Sequence, residues 1–105
     1  MFYELRQYQI VDGKMDEWIE YMESVIIPYQ VGLGMVITGS FRGEDEKTYV
    51  WMRRFNSDAE REALYAAVYD SERWKTEIAP RVGQLLQKGG INVQNIVPTP
   101  RSVTQ

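Results

Sequence analysis

The order of elements along the chain, β-α-β-β-α-β, predicts an α+β domain of the ferredoxin-like kind, in which two helical regions cover one face of a four-stranded antiparallel sheet. Three observations predict it. Residues 2–11 are dominated by strand formers. Between Met15 and Tyr29, apolar residues recur at three- and four-residue spacing, the signature of a one-sided helix. Met35 to Phe55 reads as a hairpin with a charged tip, followed by a second helical region and a last β-rich stretch.

Each element follows from local chemistry. After strand one, Asp12-Gly13 makes a turn, and Asp16 and Glu17 favour the first turn of a helix starting near Lys14. Met15, Trp18, Ile19, Met22, Val25, Ile26 and Tyr29 form its apolar stripe, and Pro28 is expected to end it. Met35 to Phe41 is a strand interrupted at Gly39, where a bulge is expected. Residues 43–47 turn the chain, and Thr48 to Phe55 is the third strand. Ser57-Asp58-Ala59-Glu60 has the spacing of a capping box and starts the second helical region. Asp70-Ser71-Glu72 breaks that region and restarts it, Pro80 bends it, and Leu85 and Leu86 finish it. Gly89-Gly90 is the expected stop, Ile91 to Val97 the last strand, and residues 99–105 a short tail beyond a single domain of residues 1–98.

Composition narrows the chemistry. A chain of 105 residues has room for one core and no second domain. With a net charge of −3 and scattered basic residues, neither nucleic acid nor an anionic membrane is an expected partner. Cysteine and histidine are both absent. Disulfides, thiolate nucleophiles, imidazole-bound metals and Ser-His-Asp triads are therefore excluded, and any acid or base must be Glu, Asp, Tyr or Lys. Glycines 32, 34 and 39 lack phosphate-loop spacing, and Glu44-Asp45-Glu46 reads as a solvated turn, so no metal and no cofactor is expected. The chain shows neither the pattern of a signal peptide nor a transmembrane run, which gives the expectation of a cytoplasmic protein.

Strand one carries the most informative residues. Period-two alternation puts Glu4, Arg6 and Tyr8 on one face, leaving Tyr3, Leu5, Gln7 and Gln9 on the other. In the predicted topology strand one lies antiparallel to strand three, so Glu4 falls near Arg53. Phe2, Tyr8, Tyr49, Trp51 and Phe55 are expected to share the open face of the sheet, too large an aromatic patch for a monomer. That expectation leads to a homodimer closed sheet against sheet around an internal cavity, with further association open. Glu4, Arg6 and Arg53 then read in two ways. They form a buried ion network, or they line a cavity whose positive excess suits a small acidic or enolic ligand. In the second reading Glu4 accepts a proton, Tyr8 donates one, and Arg6 and Arg53 hold an oxyanion. Tyr49, Trp51 and Phe55 complete the ligand-binding set. Tyr65, Tyr69 and Trp74 are assigned to the core or an interface, with a cavity mouth as the alternative.

Several stretches together resemble the NIPSNAP family: Tyr3-Glu4-Leu5-Arg6-Gln7-Tyr8, Gly13-Lys14, Trp51 to Ser57 followed by Ala59-Glu60-Arg61, Tyr65 to Tyr69, Trp74-Lys75, and Ile78 to Arg81. The resemblance implies a dimeric α/β barrel of unsettled biochemical role. It departs from many relatives in lacking a histidine near Trp51 and a tryptophan near Arg53, so no imidazole chemistry carries over. Three roles follow: a homodimer binding a small acidic or aromatic metabolite, a cofactor-free enzyme of monooxygenase or isomerase type, or a purely structural dimer.

Overall fold

The computed structural model describes all of residues 1–105. Nine residues of alternating character form β1, Phe2–Ile10, and pair on both sides, with β3 (Thr48–Phe55) and with β4 (Leu86–Ile96), both antiparallel. β2, Val36–Arg42, pairs with the far side of β3, giving the order β2-β3-β1-β4. This is the ferredoxin-like arrangement.

The first helical region runs through Pro28. α1 (Met15–Tyr21) passes into a wide π turn, Met22–Ile26, and then into α2, Ile27–Gly32. In that turn the Ile27 amide donates to the carbonyl of Met22, five residues back, immediately before the proline. A proline ring in a regular helix clashes with the carbonyl four residues back and supplies no amide. The wider turn makes room, so Pro28 does not end the helix as expected. The same device recurs in the second region. After α3, Asp58–Tyr69, the chain breaks at Asp70 and Ser71, and Ser71 Oγ accepts from the Trp74 amide to restart it. A π turn at Trp74–Ile78 then ends with Ala79 donating to Trp74, just before Pro80, and α4 continues over Ala79–Leu85.

Leu86 opens β4 instead of closing the helix, and Gly89-Gly90 lie within the strand. Between the pairs Tyr8–Ile91 and Ile10–Leu86, β4 carries extra residues, a bulge in which Gly89 takes φ +73°. β2 holds the second bulge, between Ile37 and Gly39, where one was expected.

The helices lie on the face of the sheet that carries Tyr8, Tyr49, Trp51 and Phe55, not on the opposite one. Tyr8 and Tyr49 pack against Trp18 of α1 at 5.8 Å between ring centroids in both cases, and Phe55 against Tyr65 of α3 at 6.2 Å. The open-face assignment is thus corrected. The helical stripes of Met15, Trp18, Met22 and Ile26, with Val68, Ile78 and Leu85, need an apolar partner, and the ring-bearing parity of β1 and β3 supplies the larger one. The open face carries Leu5, Gln7, Val50 and Met52 instead. Residues 97–105 fold beside part of it, burying Tyr3, whose hydroxyl donates to the Gln105 backbone carbonyl. No helix is long and apolar enough to cross a membrane.

Candidate functional site

Register brings the charges together. Glu4 stands directly opposite Arg53 in the β1–β3 ladder, and Arg6 opposite Trp51. Glu4 and Arg53 are both fully buried. Glu4 Oε1 accepts from Arg53 Nη2 at 2.7 Å, from Arg53 Nε at 3.2 Å and from Arg6 Nη1 at 3.3 Å. Its other oxygen accepts from the Tyr65 hydroxyl and lies 3.7 Å from Arg61 Nη1. Burial alone would raise this carboxyl. The Tyr65 hydrogen bond and the guanidinium charges of Arg53 and Arg6 outweigh it and hold Glu4 below the usual carboxylate range.

Arg53 is satisfied on every side. Nη1 donates to Gln30 Oε1 at 2.9 Å and to the Tyr69 hydroxyl at 2.7 Å, and Nη2 also reaches Tyr65 at 3.2 Å. Its guanidinium carbon lies 4.8 Å from the centre of the Trp51 ring and 5.2 Å from that of Tyr65. The tyrosines arrive from α3. Ser57 accepts from the Glu60 amide at 3.1 Å and Glu60 reaches back to the Asn56 amide, which fixes where the helix begins. Arg61, Tyr65 and Tyr69 then fall on one stripe at four-residue steps. Burial, with the hydrogen bond to Glu4, pushes Tyr65 up to about 12.

Beside this network, between sheet and helices, lies a cavity of about 190 Å³. Its walls include Arg6, Tyr8, Tyr69 and all three tryptophans of the chain, Trp18, Trp51 and Trp74. Only Arg6 among its ten lining residues carries a charge. Ile91, half exposed on the edge strand β4, belongs to its wall, so the cavity meets the surface there. Arg6 Nε donates to the Tyr8 hydroxyl at 2.8 Å, and Nη1 reaches Tyr65 at 3.3 Å as well as Glu4. Burial pushes the Tyr8 phenol up, an effect only partly offset by the charge on Arg6. The indole N–H groups of Trp18 and Trp51 are buried without a hydrogen-bond partner.

The residues singled out in the sequence therefore divide. Arg6, Tyr8 and Trp51 line the cavity, while Glu4 and Arg53 form the network behind it. Phe55 belongs to a separate small core with Met35 and Val68. Tyr49 sits in the main core, sharing a hydrogen bond of 2.6 Å with Ser40. Sequence reasoning missed Gln30 and Arg61, and it placed Tyr65 and Tyr69 in the core, at an interface or at a cavity mouth without linking them to the ions. The four-residue spacing from Arg61 was the signal for the tyrosines. A lone glutamine near a helix end gives none.

The family model for NIPSNAP matches residues 3–102. The chain belongs to the NIPSNAP family. A comparison with curated proteins gives no match. Among solved structures, the chain is similar to a NIPSNAP family protein from Agrobacterium tumefaciens, 24% identical over 99% of this chain and 98% of that one, with a TM-score of 0.86. A second NIPSNAP family protein of unknown function from the same organism is 24% identical over 100% and 94%, with a TM-score of 0.88. An antibiotic biosynthesis monooxygenase shares the fold at 13% identity, covering 95% and 100%, with a TM-score of 0.69. These likenesses establish the fold of the NIPSNAP chain. Its chemistry has to be read from its own side chains.

Proposed function

We propose that this NIPSNAP protein binds a small, ring-sized organic anion in the cavity between its sheet and helices. One observation carries the reading: the cavity is walled by rings and aliphatic groups, and a guanidinium is its one charged group. The lining contains no carboxylate, amide or imidazole acceptor. Arg6 leaves Nη2 without a protein partner, and neither the Tyr8 nor the Tyr69 hydroxyl donates to a protein group. A polar group buried without a partner is costly, so a ligand oxygen would relieve an existing deficit. Size agrees, since an apolar cavity of about 150 Å³ holds a benzene molecule. Charge agrees too, because Arg6 and Arg53 face a single buried carboxylate, Glu4. In this reading Glu4 orders the arginines from behind, Tyr8 meets the ligand, and Trp51 forms part of the wall.

All three tryptophans line the cavity, so intrinsic fluorescence reports on it directly. Titration with 4-nitrophenol is expected to quench that fluorescence saturably, with one site per chain. A cavity-filling Val82→Phe substitution is expected to abolish saturation. Unsaturable quenching, equal in both proteins, would overturn the proposal.

A second reading concerns assembly. The sheet has no layer on its open face, where Phe41 is 56% and Val36 47% exposed. A second copy packed there, sheet against sheet, would bury these residues with Leu5, Val50 and Met52 and give a homodimer with a separate cavity in each protomer. The solution mass by light scattering tests it, and a monomer mass at all concentrations would exclude it.

A further inference from the structure

We propose that Tyr8 and Tyr69 form a seat for a single anionic oxygen, so that the molecule taken into the cavity is a small ring phenol or enol bound as its conjugate base, in preference to a carboxylate. The inference rests on the cavity being a ligand site and goes further by fixing the ligand's class. The two phenols are built alike. Tyr8 accepts from Arg6 Nε at 2.8 Å, Tyr69 accepts from Arg53 Nη1 at 2.7 Å, and neither hydroxyl donates to any protein group. Each is buried or half-buried in the cavity wall. A phenol whose oxygen already accepts from a guanidinium is polarised, and its O–H becomes a stronger donor. Both side chains line the same cavity, and their guanidinium partners stand side by side, Arg6 Nη1 and Arg53 Nη2 both donating to Glu4 Oε1. Both hydroxyl protons are therefore free to turn toward one ligand oxygen in that cavity.

A carboxylate asks for something this site lacks. Its strong recognition by arginine uses two parallel N–H groups on one edge of the guanidinium. Arg53 has all three nitrogens engaged within the protein. Arg6 has Nε committed to Tyr8 and Nη1 to Glu4 and Tyr65, which leaves Nη2 alone. Hydroxyl donors around one point suit the localised charge of a phenolate or enolate oxygen. The ligand's O–H bond breaks heterolytically, the electron pair stays on its oxygen, and the proton leaves to solvent, because the lining holds no base to take it. Arg6 and Arg53 act here as positioning residues, and Tyr8 and Tyr69 touch the ligand.

The test uses the whole chain and three probes, 4-nitrophenol, benzoate and toluene, followed by tryptophan quenching and by the visible phenolate band. At a pH just below the solution pKa of 4-nitrophenol, binding is expected to bring up the phenolate band. Benzoate is expected to bind at least tenfold more weakly than 4-nitrophenol. Tyr8→Phe and Tyr69→Phe keep the rings and remove only the hydroxyls. Each is expected to weaken 4-nitrophenol binding about tenfold, the scale of one charge-assisted hydrogen bond, with toluene binding shifted less than twofold. Benzoate binding as tightly as 4-nitrophenol, or bound 4-nitrophenol staying neutral, would overturn this inference while leaving the cavity reading in place. Failure of every probe, toluene included, would overturn both.

Discussion

At the scale of single residues, Glu4 organises the interior. Its carboxylate is the only acid among Arg53, Arg6 and the three phenols that contact them, Tyr8, Tyr65 and Tyr69. Glu4→Gln keeps the shape, removes the charge and leaves Arg53 buried without a counter-ion. Losing one partner of a buried pair costs about 3–5 kcal/mol, and urea denaturation at neutral pH should show a loss of that size. The same residue sets the acid side of the stability curve. Its folded pKa lies below the ordinary value, so its contribution is present above the unfolded pKa of about 4.3 and is lost as pH falls through the folded value. Stability measured across mildly to strongly acidic pH should fall less steeply in Glu4→Gln than in the parent protein. An unchanged slope would show that Glu4 is not the titrating group. The Glu4–Arg53 pairing was legible in the sequence, because strand parity and an antiparallel neighbour fix which residues oppose one another. Tyr65 and Tyr69 were not legible as its partners. Their stripe on α3 can be read from spacing, but the direction in which that stripe faces is settled only when the helix packs.

At the scale of elements, the strands and the start of α3 could be read from alternation and from the Ser57 cap, whereas the first helix misled at Pro28. The reason is local. A proline forbids a regular helical turn, and only the wider turn ahead of Pro28 and of Pro80, invisible to residue propensities, allows the helix to continue. Leu86 was read as helical because an apolar run fits either period. Two glycines test the bulged strands. A Cβ on Gly39 would come 2.6 Å from the Phe41 ring, which is exposed and free to swing away. A Cβ on Gly90 would meet the Gln87 carbonyl and Gln9 Cβ, both at 2.9 Å, where the β4 bulge packs against β1. Gly90→Ala should therefore destabilise by about 1–3 kcal/mol and Gly39→Ala by less, with Tm by calorimetry as the measure. Equal losses would mean that the β4 bulge yields as easily as an exposed ring.

For the whole molecule, the question is whether the open face meets a second copy. The sequence pointed to one layer of helices and one open face, but it assigned the aromatic rings to the wrong side. Both parities of β1 mix rings with polar groups, and only the demand of the helical stripes decides between them. If copies associate through the open face, Phe41→Lys combined with Met52→Lys should convert a dimer mass to a monomer mass and leave the fluorescence response to 4-nitrophenol intact. Loss of both together would tie the cavity to the interface. The two bulges bear on the same question. Each lies on an outermost strand, β2 or β4, where unpaired backbone amides and carbonyls would otherwise invite another chain to extend the sheet. A kinked, locally twisted border is a poor template for such growth. The irregularities thus act as selvedges: they discourage unlimited lateral stacking into fibres.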